Sequence, residues 1–358
     1  MIVLGIETSC DETAAAVVSS DGVIIAETVL SQLEQHRPFG GVVPEIAARA
    51  HLEYADAVVH KTMEKAGLDF HELDAVAATA GPGLIGGVII GIMTAKAIAA
   101  SSNLPFLAIN HMEGHALSAR LKKNDKVKFP YLLLLISGGH CQLQIVEGCG
   151  NYKRLGTTID DALGEAYDKI AKMLGIGYPG GPAVEAAAKK GDASRFNLPR
   201  PMKGRIGCDF SFSGLKTAVR LIALDLPEGP LLKTDIADLC AGFQMAAGDV
   251  LADRINHALD IFISEHPTSN SLVLAGGVAS NQFIRKRIQI LADERSIGLI
   301  TPPNSLCTDN GAMIAWAAIE RIHDVGIDKA RDNLNFKPRP RWPLDPIAPK
   351  AAFAGIKA

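Results

Sequence analysis

The sequence predicts an α/β protein of two duplicated βββαβα-type lobes around a cleft. Three observations carry this expectation. One order of elements, hairpin, helix, strand, glycine turn and helix, occurs twice. Short apolar runs such as "IVLGIE" and "YLLLLIS" alternate with segments of helical periodicity. The chain of 358 residues has room for two domains or one bilobed unit.

The elements follow in order. "IVLGIE" reads as a strand, "TSCDE" as a turn and "TAAAVVSS" as a second strand. Asp21-Gly22 is a hairpin signal before "VIIAET". "VVPEIAARAHLEYADAVVHKTMEKAG" repeats its apolar positions at three and four and stops near Gly67. "LDAVAAT" is a strand, Gly81-Pro82-Gly83 a turn and "GVIIGIMTAKAIAAS" a core helix. The second copy starts at "YLLLLIS" and "CQLQIVE", and closes with "NSLVLAGG" and "NQFIRKRIQILADE". The hairpins are offset by about 130 residues and the glycine turns by about 190, so the second copy carries an insertion of about 60 residues that includes "RFNLPRPMKGRIGCDFSFSGLKTAVR". The pattern gives a first lobe at 1–110 and a second at 111–310 with its insertion near 190–235. A C-terminal helix and tail at 311–345 would pack back toward the first lobe, and 346–358 would be a flexible tail.

Composition excludes several classes. Hydrophobic residues at 48% and charged residues at 21% fit a globular chain with a large core. A net charge of −3 argues against a general polyanion binder, so a nucleic acid would be met by local patches. The six cysteines form no C-x-x-C pair, which points to reduced cytosolic thiols. The N-terminus lacks a basic region, and Glu7 interrupts its apolar run, so it is not a signal peptide. The apolar stretch around "GLIGGVIIGIMTAKAIAA" is broken by Gly81-Pro82-Gly83 and Lys96, against a membrane span.

Three glycine turns are candidate anion sites, because such turns aim backbone N–H groups at a ligand. They are "SGGH" at Ser137 to His140, "GYPGGP" at Gly177 to Pro182 and "AGGVASN" at Ala275 to Asn281. None fits the P-loop or the dinucleotide fingerprint. Together they suggest a site for the phosphate and ribose of a nucleotide.

"NHMEGH" places His111 and His115 at i and i+4, on one helical face. In a zinc-protease helix the glutamate follows the first histidine directly. Here Glu113 is two residues on, about 200° around the helix, so it cannot readily serve a metal-bound water. The pair remains open to two readings, metal ligands or hydrogen-bonded histidines. Asp309, in "CTDNGAM" before a helical run, would complete a site for two imidazoles and a carboxylate; its ordinary alternative is an acid beside a helix cap.

These motifs resemble the TsaD (Gcp/YgjD) family, tRNA N6-adenosine threonylcarbamoyltransferases. The resemblance runs through "IETSCDET", "GGVVPEIAARAH", "GPGLIGG", "NHMEGH", "ISGGHC", "DDALGEAYDKIAKMLGIGYPGGP", "FSFSGLKTAV", "GGVASN" and "TDNGAMIAW", nearly the whole chain to about Trp342. It implies the actin-like ATPase (ASKHA) fold of sugar kinases, Hsp70 and actin. It implies one divalent metal on His111, His115 and Asp309, iron(II) first and zinc second. It also implies nucleotide contacts from Ser137, Gly138, Gly139, His140, Cys141, Asp168, Gly181, Glu185 and Asn281. The family usually has threonine where this chain has Cys141, which leaves that side chain's role in doubt.

The implied reaction moves a threonylcarbamoyl group from threonylcarbamoyl-AMP to the exocyclic amine of the adenosine that follows the anticodon, in tRNAs reading codons that begin with A. AMP leaves, and ATP, ADP or AMP can occupy the same site. Asp11 and Glu12, in the first hairpin turn, are the candidate catalytic acids, Asp11 as general base or positioning acid, with an Asx-turn residue as its competing reading. Implied partners are tRNA, a TsaB-type paralogue, a TsaE-type ATPase and a TsaC/Sua-type synthase that makes the donor. The "VVPEIAARAHLEYADAVV" helix is the candidate TsaB surface, its alternative being a wholly buried helix. Candidate phosphate contacts are Arg120 to Lys123 with Lys126 and Lys128, Lys203 with Arg205, Arg285 to Arg287, and Lys337 to Arg341. The competing class is a nucleotide-switched binding protein of the actin or Hsp70 kind.

Overall fold

A computed structural model of the chain describes residues 1–121 and 127–349. These residues form two compact units. Unit 1 takes Met1–Val127, Gly148–Asn151 and Pro302–Pro346; unit 2 takes Lys128–Glu147, Tyr152–Thr301 and the described residues after Pro346.

The strands are β1 (Ile2–Glu7), β2 (Glu12–Ser19), β3 (Ile24–Ser31), β4 (Ala75–Gly81) and β5 (Phe106–Asn110), then β6 (Tyr131–Ile136), β7 (Cys141–Gly148), β8 (Asn151–Thr157), β9 (Ser271–Ala275) and β10 (Gly298–Ile300). The longer or site-bearing helices, in chain order, are α1 (Pro44–Ala66), α2 (Ile85–Ser101), α3 (His111–Leu117), α4 (Leu163–Leu174), α5 (Gly180–Ala188), α6 (Ser213–Asp225), α7 (Lys233–Glu265), α8 (Gln282–Glu294) and α9 (Gly311–Val325).

The first sheet has the order β3-β2-β1-β4-β5 and the second β10-β9-β6-β7-β8. Counting strands within each unit, both orders read 3-2-1-4-5, so the repeated pattern in the sequence is a repeated topology. In each, an antiparallel hairpin lies beside parallel crossovers: β1 pairs antiparallel with β2 and parallel with β4, and β6 pairs antiparallel with β7 and parallel with β9. Strands covered on both faces read as continuous apolar runs rather than alternating ones. This explains "VAATA" in β4 and "LLLL" in β6, all fully buried.

Two expectations need correction. The boundary at 110 falls inside unit 1, because β5 runs directly into α3 through the N-cap Asn110 and α3 packs on α9. The helix expected in the core, α2, leaves one face open: Ile85, Ile89 and Met93 are exposed. No helix among the described residues is long and apolar enough to cross a membrane. All six cysteines are free thiols.

Candidate metal centre and nucleotide pocket

Two short-range features of unit 1 converge on one point. Asn110 caps α3 by accepting the Met112 N–H at 2.9 Å, which sets His111 and His115 on the first turns. Asn310 caps α9 in the same way, from Met313 N–H at 2.8 Å, so the cap is not Asp309, which precedes it. Glycines let the backbones approach. A Cβ on Gly311 would lie 2.5 Å from the Ala15 carbonyl carbon in β2, and one on Gly114 would lie 3.0–3.1 Å from Ile314 and Met313 side chains. The closeness of α3, α9 and the first sheet therefore rests on missing side chains.

The result brings His111, His115 and Asp309 together, with one ligand atom from each lying within 4.8 Å of the others. Asp309 Oδ1 is 3.1 Å from His115 Nε2 and 3.6 Å from His111 Nε2. The rings meet edge to face at 4.8 Å between centroids. The donor set fits a borderline divalent cation of the iron or zinc kind, with coordination positions left for a substrate oxygen. Nδ1 of His115 is buried and has no hydrogen-bond partner among the described residues; the nitrogen that faces Asp309 is Nε2.

Behind the histidines stands Glu7, at the end of β1 and fully buried. Its Oε2 accepts from His111 Nδ1 at 3.1 Å and from the Thr79 hydroxyl, and its Oε1 accepts the Ser9 N–H at 2.5 Å. The Ser9 hydroxyl lies 3.1 Å from the same Nδ1. This arrangement fixes the tautomer that leaves Nε2 as the ligating atom. Burial pushes the Glu7 carboxyl up, but the charge and hydrogen bond of His111 outweigh it, leaving Glu7 below its ordinary range. Burial lowers His111, yet Asp309 and Glu7 overcome that and raise the metal-free imidazole to about 9. Sequence reasoning missed Glu7; its signal is a glutamate ending an otherwise apolar strand.

Glu113 turns away, as its angular position on the helix requires. Its Oε1 accepts the Gly150 N–H at 2.9 Å. Glu12 lies close enough to Asp309 to feel its charge, and Asp11 is hydrogen-bonded to Glu12. Burial, reinforced by the charges of Asp309 and Asp11, holds Glu12 well above the ordinary carboxyl range, and Cys10 is raised by burial and the same two charges.

Unit 2 contains a pocket lined by five of the predicted residues, Gly138, Asp168, Gly181, Glu185 and Asn281. The other four are not among its lining residues. Cys141 is fully buried in β7, so its thiol packs in the core. The Ser137 hydroxyl accepts the His140 N–H at 3.1 Å, closing its own turn beside Gly139. Asp168 Oδ1 accepts the Gly180 N–H at 2.7 Å at the start of α5. Glu185 accepts the Gln282 N–H at 2.9 Å, and Asn281 caps α8 through Ile284 N–H at 2.9 Å. The pocket is thus bounded by the starts of α5 and α8, whose Gly180, Gln282 and Ile284 N–H groups are taken by Asp168, Glu185 and Asn281. Tyr167 was missed: it lines the pocket, and its buried hydroxyl has no partner among the described residues. It stands in "GEAYDK" with spacing that reads only as core.

The basic candidates separate clearly. Arg120 is held by Glu320 at 3.0 Å and by Val127 O at 2.6 Å, and Arg287 is paired with Asp249 at 3.3 Å. Arg285 donates to Ala279 O. Lys128, Lys203 and Arg205 are exposed, as are Lys337, Arg339 and Arg341. Lys122, Lys123 and Lys126 lie outside the described residues.

Duplicated 3-2-1-4-5 sheets mark a protein of the actin-like ATPase fold, and the imidazole–carboxylate cluster marks one equipped to chelate a metal. Solved structures agree on the fold. HypF from T. kodakarensis superposes with a TM-score of 0.61 at 15% identity, over 90% of this chain and 48% of that one. Component A of (R)-2-hydroxyglutaryl-CoA dehydratase from Acidaminococcus fermentans does so with 0.52 at 13% identity, over 90% and 99%. The family follows from sequence. A family model for TsaD, tRNA N6-adenosine threonylcarbamoyltransferase, matches residues 23–316. A protein of that name from Rhodospirillum rubrum is 61% identical over 99% of this chain and 98% of its own length, and one from Paramagnetospirillum magneticum is 60% identical over 99% and 100%. The chain belongs to the TsaD family.

Proposed function

We propose that this chain transfers the threonylcarbamoyl group from threonylcarbamoyl-AMP to the exocyclic amine of the adenosine following the anticodon, in tRNAs reading codons that begin with A. The observation that carries the reading is the convergence of His111, His115 and Asp309 in a chain of this family. His111, His115 and Asp309 would hold the metal, iron(II) or zinc, which when bound supplies Lewis-acid polarisation of donor oxygens. Glu7 orients His111.

The chain's own groups account for the remaining work. The Gly138 turn and the glycine-lined wall at Gly181 and Gly277 would receive the AMP portion of the donor. Asp168 and Glu185 would meet the ribose, and ATP, ADP or AMP would occupy the same pocket. In the transfer, the amine nitrogen bonds to the carbamoyl carbon, the carbon–oxygen bond to the phosphate breaks, and AMP leaves with the electron pair. The amine proton goes to Asp11. Glu12, which keeps its own proton to higher pH than an ordinary glutamate, is the poorer acceptor.

An exposed apolar stripe supports a TsaB-type partner: Leu52 on α1 and Ile85, Ile89 and Met93 on α2, the two helices packed together. Work with a TsaE-type ATPase, a TsaC/Sua-type donor synthase and a cytoplasmic setting complete the reading. A nucleotide-switched binding protein is weaker, because such a switch holds magnesium through phosphates and needs no imidazoles. Reconstitution with threonylcarbamoyl-AMP, unmodified tRNA and the partners, followed by nucleoside mass spectrometry, tests it. Threonylcarbamoyladenosine is the expected product; unchanged adenosine under conditions where a known relative works refutes the reading.

A further inference from the structure

The segment from Phe336 to Trp342, "FKPRPRW", is a strap fastened to unit 1 beside the metal residues. Its backbone is held at four points. Phe336 O accepts from Lys96 Nζ at 2.6 Å, Arg339 N–H donates to Ala80 O at 2.7 Å, Pro340 O accepts from Gly83 N–H at 3.4 Å, and Trp342 O accepts from Asn110 Nδ2 at 2.9 Å. The fit is close: any Cβ on Gly81 would collide with the Arg339 carbonyl. Two short routes join the strap to His111. Asn110 immediately precedes it and caps its helix. A Cβ on Gly83 would lie 2.6 Å from Ser9 Cβ, and the Ser9 hydroxyl touches the His111 ring.

The anchoring uses backbone groups and leaves the charges outside. Lys337, Arg339 and Arg341 are all exposed, and none makes an ion pair with a described residue. Arg339 is further ordered by its neighbours, with its guanidinium 4.8 Å from the centroids of both Phe336 and Trp342. Those two rings touch each other at 5.7 Å between centroids, and a cation packed against the pair loses little freedom when it binds a phosphate. In a chain of net charge −3, three unpaired cations within five residues form a local exception.

We infer that this strap is a phosphate-gripping surface for the tRNA substrate, holding the RNA backbone next to the metal residues, with Arg339 as its pre-ordered contact. The inference rests on the transferase reading above. Phosphate contacts position a nucleic acid without reading its sequence, so the strap would serve every acceptor tRNA alike.

The test uses the full chain with its partners, measuring tRNA affinity against salt concentration together with KM and kcat for tRNA. The variant K337A/R339A/R341A is expected to weaken tRNA binding about tenfold or more and to flatten the salt slope by about 2–3, since each of the three lost contacts removes about 0.7–0.9. KM should rise while kcat, metal content and donor affinity hold. The pair Lys337→Glu and Arg341→Glu changes two side chains that touch no described residue through a hydrogen bond or ion pair, and should weaken binding without disturbing the strap. Arg339→Lys should keep the slope but lose part of the affinity. If wild type modifies tRNA and both charge variants bind it with unchanged affinity and slope, the strap proposal is overturned and the transferase reading stands. If wild type modifies no tRNA, both fall.

Discussion

Glu7 shows how much of the candidate metal site lies outside its three proposed ligands. A fully buried carboxylate is tolerated only when its oxygens are satisfied, and here Ser9, Thr79 and His111 satisfy them. Carboxylate-bound imidazoles are better metal ligands and are fixed in orientation. Glu7→Gln is therefore expected to lower metal affinity about 10- to 100-fold with little change of fold, measured by titrating metal-stripped protein with zinc or iron(II). The pH dependence follows from His111. Its metal-free value is raised from 6.5 to about 9, so its charge stabilises the metal-free fold fully below about 6.5 and that contribution is lost as pH rises through about 9. Metal binding requires the neutral ring and releases the proton. Apparent metal affinity should thus climb with pH up to about 9, while the melting temperature of the metal-free protein falls over the same interval. His111→Asn should abolish both trends, and a pH-independent affinity would contradict the assignment. At this scale the sequence was partly legible. The i, i+4 histidines announced themselves, and Glu113 was excluded by helix geometry alone. Asp309 could be attached only by resemblance, because a contact across nearly 200 residues leaves no local pattern.

At the scale of elements, the site depends on how closely α3 and α9 approach each other and the first sheet. Gly311 abuts the backbone of β2, and no side chain there can yield. Gly311→Ala is expected to destabilise the protein by at least about 2 kcal/mol in urea unfolding and to weaken metal binding with it. Gly41→Ala, where a Cβ meets nothing within 4 Å, should stay within about 0.5 kcal/mol. Equal effects would remove the packing explanation. Strands and helices were largely readable, since buried parallel strands write continuous apolar runs and α1 ends at Gly67 in the left-handed conformation. The open face of α2 was not readable. Its residues before Thr94 are apolar or glycine on every face, and only the structure distinguishes those that are covered from Ile85, Ile89 and Met93. The pocket of unit 2 was half legible for a related reason: the glycine turns mark where backbone turns, but burial decides that Gly138 lines the pocket while Cys141 faces the core.

At the scale of the molecule, one 3-2-1-4-5 sheet was used twice and specialised differently. The hairpin end of the first sheet leads to carboxylates and imidazoles, that of the second to glycines and helix starts. A shared fold leaves chemistry open, and the chemistry here is assigned by side chains found in one copy only. The central claim is that His111, His115 and Asp309 hold one ion that the transfer reaction requires. Its most direct test is elemental analysis of the purified wild type and of Asp309→Ala, each then assayed for transfer to tRNA. Wild type should carry close to one iron or zinc per chain, and Asp309→Ala should lose both metal and transfer while melting as a folded protein. Full metal content and undiminished transfer in Asp309→Ala would contradict the account.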